Sequence, residues 1–108
     1  MKYLILIYGN PQSREIWEGF TDAQRAAGFG LYAAITDELA ASGELIVSEA
    51  LTDVSQAKRV TSRDGRMTSA DGPFAEAKEH LAGFFLVDCD SLERAVEVAA
   101  RILSLIHI

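Results

Sequence analysis

Residues 71–86 read DGPFAEAKEHLAGFFL and combine a turn, a charged connector and an apolar strand. At the start of this stretch Gly72 allows a tight bend and Pro73 fixes φ, so residues 71–74 predict a turn. The charged residues that follow are typical of a solvated surface. Phe84 to Val87 is aromatic and apolar throughout, which predicts a buried strand. A sheet strand therefore follows the turn closely.

The neighbouring segments on both sides have equally clear patterns. Before the turn, Lys58 to Ala70 predicts two short polar strands around Asp64-Gly65, a dipeptide that supplies the positive φ angles of a tight hairpin. After the strand, Ser91 predicts the cap of a helix. The apolar residues of that helix recur every three or four positions, at Leu92, Ala95, Val96, Ala99 and Ile102.

The amino-terminal half predicts a strand, a long helix and a second strand. The apolar run from Tyr3 to Tyr8 is continuous, which favours a central strand covered on both faces. Thr21 and Gln24 have the spacing of a capping box, so a long helix is expected to begin there, with Gly43 as its carboxyl-terminal cap. Glu44 to Leu51 predicts the next strand.

The resulting order, β-α-β, hairpin, β-α, predicts an α+β fold of the ferredoxin-like sandwich type with an inserted β-hairpin. Two helices cover one face of such a sheet and leave the other face bare. In a chain of 108 residues, pairing that face with a second copy is the simplest way to bury it, so we expect a homodimer.

The composition indicates one globular domain over residues 1–108, because 49% of the residues are apolar and 24% are charged. A net charge of −6 disfavours nucleic acid and anionic membrane surfaces, and Met1 to Tyr8 is too short to span a membrane. Cys89 has no partner for an internal disulfide, which favours a reducing cytoplasm. His80 and His107 make a weak metal pair, so no metal and no cofactor are predicted.

The motif of residues 71–86 resembles the signature of DGPF-domain proteins in the YCII-related family. The opening residues 1–9, the turn at 64–66 and residues 90–95 are also similar to that family, so the resemblance extends to about Arg101. The resemblance implies a dimeric α+β barrel, in which two ferredoxin-like sheets close around a small cavity. Because that fold is shared by isomerases, oxygenases and ligand-binding regulators, it does not decide the chemistry.

Two functional expectations come from the resemblance alone. Relatives are suggested to be enzymes because of a His-Asp pair near the cavity, and DGPF members are often associated with extracytoplasmic-function sigma factors. Tyr32 stands where many relatives carry His or Tyr, so a His-Asp pair at that place is absent. The resemblance also implies a final strand after the second helix, where only residues 103–108 remain. We interpret that strand as truncated and expect the helix to continue through Leu105.

Five residues are candidates for a site in the cavity. Asp71 would be a general acid or base, and Tyr32 would replace the missing histidine as a catalytic donor. Tyr8, Phe74 and Lys78 would bind the ligand, with Lys78 attracting a carboxylate. Four of them have a structural alternative: Asp71 locks its turn, the two tyrosines belong to the core, and Lys78 lies in a solvated charged connector.

The leading functional hypothesis is a dimer that binds, and in an enzyme would transform, a small organic molecule in its cavity. The alternative hypothesis is a regulatory or interaction module without turnover, associated with a sigma factor by resemblance only. In that case the polar hairpin from Lys58 to Ala70 would contact the protein partner.

Overall fold

The structure of the chain, a computed structural model, describes residues 1–72 and 79–106. The elements follow in the order β1 (Lys2–Gly9), α1 (Pro11–Glu18), α2 (Asp22–Ser42), β2 (Leu45–Ala50), a 3₁₀ turn (Val54–Gln56), β3 (Lys58–Arg63), β4 (Arg66–Asp71), β5 (His80–Asp88) and α3 (Leu92–Ile106). The α+β class is as the sequence predicts. No helix within the described residues is long and apolar enough to cross a membrane.

The main sheet has three antiparallel strands in the order β1-β5-β2. β5 is therefore the central strand and β1 an edge strand, so the prediction that Tyr3 to Tyr8 is central was wrong. A continuous apolar run arises here for another reason. One side of β1 packs against the core, whereas the other side is apolar and exposed, so apolar residues occupy both faces.

Helices α2 and α3 lie on one face of this sheet and form the core with it. Buried side chains of both helices interlock with those of β5, as expected for a two-layer domain. The buried cluster consists of Ile35, Leu39, Phe85, Val87, Cys89, Ala95, Val98 and Ile102. The opposite face of the sheet is free of these helices.

Local capping interactions begin the helices. At α2 the Thr21 hydroxyl accepts from the Gln24 backbone N–H at 3.2 Å, and the Gln24 side chain accepts from the Thr21 N–H at 2.8 Å. The predicted capping box is confirmed. Helix α1 was not predicted, although Asn10 and Ser13 form a second capping box around Pro11. An Asn-Pro start was available in the sequence as its signal.

Helix α3 begins where the sequence indicates, since the Ser91 hydroxyl accepts from the Arg94 backbone N–H at 3.1 Å. Its continuation through Leu105 is confirmed, because the helix ends at Ile106. Its buried face differs from the predicted stripe, since Leu92 and Val96 are 60% and 59% exposed.

The predicted hairpin is confirmed as a separate sheet of β3 and β4. Its turn has positive φ angles at Asp64 (53°) and Gly65 (76°), as the Asp-Gly dipeptide requires. At its base, the Gly72 backbone N–H donates to the carbonyl oxygen of Ala57 at 2.6 Å. Every residue of β4 is exposed, so the hairpin is an arm rather than part of the core.

Candidate functional site

The face of the sheet away from α2 and α3 is apolar, and α2 and α3 do not cover it. Successive side chains of a strand point to opposite faces, and Tyr3, Ile5 and Ile7 pack on the core. The alternate residues of β1 therefore lie on the other side. We call this surface the open face and define it by Leu4, Leu6 and Tyr8 of β1, Val47 of β2, and Phe84 and Leu86 of β5.

The register of the strands makes the open face continuous. Leu4 lies opposite Leu86 and Leu6 opposite Phe84, while Val47 of the other edge strand is also opposite Leu86. Side chains directly opposite one another in an antiparallel pair share a face and touch. Three strands thus present one apolar surface instead of scattered residues.

The β1 part of the open face is the most accessible. Leu4, Leu6 and Tyr8 are 58%, 44% and 53% exposed. Exposed single leucines are ordinary on proteins, but a contiguous apolar patch marks a binding or association surface. The phenol of Tyr8 adds one hydrogen-bonding group at the end of this patch.

Tyr8 and Tyr32 lie on opposite sides of the sheet. Tyr8 belongs to the open face, whereas Tyr32 is half-buried in α2 and packs against the core. Burial raises the pKa of the Tyr32 hydroxyl above its ordinary value of 10.0, because the charged phenolate is poorly solvated there. Tyr32 is thus a neutral donor at neutral pH, as its predicted role requires, but it does not share a surface with Tyr8.

Asp71 ends strand β4 and is exposed, opposite Lys58 at the base of the hairpin. The next residue, Gly72, has a φ of 80°, a left-handed angle that favours glycine. The predicted turn over residues 71–74 extends beyond Gly72 into residues outside the described ranges, so it stays a prediction. Phe74 and Lys78 lie outside the described residues, so a site formed by them with Asp71 stays a prediction.

Cys89 is buried beside the core and unsuited to nucleophilic chemistry. Burial raises the pKa of its thiol, and the nearby Glu44 carboxylate raises the pKa further. The Asp88 carboxylate next to it acts in the same direction. Among residues 1–72 and 79–106, no group of three His, Cys, Asp or Glu side chains is arranged to hold a metal ion.

A shallow groove lies on the helix side of the molecule, away from the open face. Leu31, Ala34 and Ile35 of α2 face Leu105 of α3 across a space of about 230 Å³. The ion pair between Glu38 and Arg101 closes one side, with an N–O distance of 2.6 Å. Glu38 and Arg101 neutralise each other. Neither charge is therefore available to fix the orientation of a ligand in the groove.

The open face was only partly visible in the sequence. Tyr8 was a candidate, but Leu4 and Leu6 were assigned to a buried strand. Leu4 and Leu6 alternate along β1 with the residues that pack on the core. This alternation identifies them as open-face residues only when β1 is known to be an edge strand.

Comparison with known proteins identifies the family of this chain. A family model described as the YCII-related domain matches residues 1–103. An uncharacterised protein of Rhizobium meliloti (strain 1021) is 30% identical over 99 residues, which cover 92% of this chain and 77% of that protein. The chain therefore belongs to the YCII-related family.

Proposed function

We propose that this protein is a homodimer in which two open faces enclose a cavity for a small, largely apolar organic molecule. The exposure of Leu4, Leu6 and Tyr8 on one continuous patch carries this proposal. A single chain of this size buries a modest fraction of its surface, and covering such a patch contributes about 25 cal/mol for each Å² of apolar area.

The chemistry of the open face defines the class of ligand. Most of its side chains are aliphatic or aromatic, and its rim includes Glu49, which lies opposite Phe84. Ligand sites are typically apolar with a few polar groups that fix orientation. A small aromatic or aliphatic molecule with an oxygen that accepts from the Tyr8 hydroxyl fits this surface best.

A fragment titration followed by NMR tests the proposed site. We expect neutral and singly charged aromatic fragments to shift the signals of Leu6, Tyr8 and Phe84 at saturable concentrations. The signals of Leu92 and Val96, which are exposed on the outer side of α3, should stay in place. Shifts confined to the groove around Leu31 and Leu105 would contradict the proposed site.

We further propose Asp71 as the residue that performs acid or base chemistry on a bound molecule. Asp71→Asn keeps the shape and removes the titrating carboxylate. Because Asp71 is exposed, we expect the melting temperature to stay within a few degrees of wild type while any conversion of the fragments, followed by mass spectrometry, is lost. A sharp fall in melting temperature with unchanged conversion would instead make Asp71 a turn residue.

A further inference from the structure

Within the described residues, the hairpin of β3 and β4 stands apart from the main sheet. It is a two-stranded sheet of its own, and its internal contacts include a 2.6 Å hydrogen bond between the Thr61 and Thr68 hydroxyls. An isolated two-stranded hairpin is marginally stable in water and usually needs a further layer to pack on. The exposure of all of β4 shows that this layer is not supplied within the described chain.

The two faces of the hairpin differ in chemistry. The register places Val60 opposite Ser69 and Met67 opposite Ser62, so Val60 and Met67 share one face. These two side chains are 60% and 74% exposed. The other face carries Arg63 opposite Arg66, beside the threonine pair. The arm is thus amphipathic, with an apolar strip that the described residues leave uncovered.

The charge of the hairpin is opposite to that of the remaining chain. Residues 58–71 contain four Lys or Arg and two Asp or Glu, a net charge of +2. Since the whole chain carries −6, the remainder carries −8. A basic arm and an acidic body attract one another between copies, which favours a second copy of this chain over a nucleic acid or a basic partner.

The shape of the chain also leaves the arm extended. Its Cα radius of gyration is 16.4 Å, and its principal extents are 48 × 38 × 18 Å. A compact chain of about this length has a radius of gyration near 13 Å. A flat body with a projecting arm is a shape suited to assembly with another copy.

We infer that each hairpin reaches across to the second copy and packs its Val60 and Met67 side on the partner, while the arginines of the other side contribute the charge attraction between arm and body. The inference rests on the proposed homodimer and adds a second contact to it, outside the open face. It assigns the hairpin to the dimer instead of to a different protein.

Isotope-filtered NMR on the wild-type protein tests this contact. Copies with ¹³C-labelled methionine methyl groups are mixed with unlabelled copies, and the Met67 methyl is assigned with a Met67→Leu sample. We expect intermolecular contacts from this methyl to the unlabelled copy. Only intramolecular contacts in a protein that is dimeric by sedimentation would overturn the hairpin inference and leave the proposed dimer intact. A monomeric protein would overturn both.

A pair of matched variants measures the energy of the same contact. Val60→Ser with Met67→Ser should raise the dissociation constant of the dimer by about tenfold or more, since truncating two buried apolar anchors weakens association. As the control, Leu92→Ser with Val96→Ser removes a similar apolar area from the outer side of α3. This pair should change the dissociation constant of the dimer by less than about twofold. Equal effects of the two pairs would contradict a specific role of the hairpin.

Discussion

At the scale of single residues, a bidentate ion pair joins Glu44 to Arg94, fifty positions away. The Arg94 Nε and Nη2 atoms donate to the two carboxylate oxygens of Glu44 at 2.9 and 3.0 Å. Glu44 ends the turn before β2, so this bidentate pair fastens α3 to the start of that strand. Such pairing could not be predicted from the sequence, because the partners are brought together only by the packing of α3 on the sheet.

Glu44→Gln tests how the contribution of this ion pair to the stability of the fold depends on pH. Hydrogen bonds from Arg94 lower the pKa of Glu44 from 4.5 to about 2. A lowered carboxyl pKa stabilises the folded state above the unfolded-state value of 4.5, and this contribution is lost as the pH falls through about 2. We expect the variant to melt below wild type at pH 7 and close to it at pH 2.

Circular dichroism melting curves from pH 2 to pH 7 provide this measurement. Glu15→Gln, which changes an exposed carboxylate of α1, serves as the control and should follow wild type throughout. A melting-temperature difference between Glu44→Gln and wild type that does not change with pH would contradict the assigned role of the ion pair.

At the scale of helices and strands, features set by neighbouring residues could be predicted from the sequence better than features set by distant contacts. The capping box of Thr21 and the Asp64-Gly65 turn were correctly predicted because their interactions lie within three residues. The position of β1 in the sheet was predicted wrongly, because strand order depends on which distant strands pair. Helix α3 shows the same limit, since its three- and four-residue spacing fits several faces and only contact with β5 selects Val98 over Val96.

Two glycine substitutions test how tightly these elements pack. A Cβ at Gly83 of β5 would come within 2.8 Å of the Glu49 carbonyl oxygen of β2, whereas one at Gly30 of α2 meets nothing within 4 Å. We expect Gly83→Ala to destabilise the fold by about 1–3 kcal/mol through overpacking. Gly30→Ala should stabilise it by about 0.5–1 kcal/mol by improving helix propensity.

Urea unfolding of both variants and wild type measures these free energies. Both substitutions add one methyl group. Opposite changes in the free energy of unfolding would therefore report the close approach of β2 and β5 at Gly83. A Gly83→Ala variant as stable as wild type would show that the strands are farther apart than this register requires.

At the scale of the whole molecule, one chain leaves its sheet half covered. The helices bury one face, whereas on the open face Leu4, Leu6 and Tyr8 are exposed and the members on β2 and β5 are half-buried. The sequence predicted a bare face from the order of its elements, because α2, which joins β1 to β2, and α3, which follows β5, return over the same side of a ferredoxin-like sheet. It could not identify which side chains line that face, since this depends on the alternation and register of β1.

Leu6→Glu tests whether the open face forms the dimer contact. Leu6 lies opposite Phe84 in the middle of β1, and a buried carboxylate there would have no partner. We expect this variant to remain folded but to become monomeric. Leu92→Glu, at an exposed position of α3, should leave the association unchanged. Equal association of the two variants in sedimentation velocity runs would exclude the open face as the contact.

Sedimentation equilibrium of the wild-type protein at micromolar concentration tests the central claim most directly. A homodimer closed over its open faces has a mass of about twice 11.7 kDa, and that is the expected result. A mass that stays near 11.7 kDa across the concentration range would contradict the account, because the open face would then be exposed to water in the working protein.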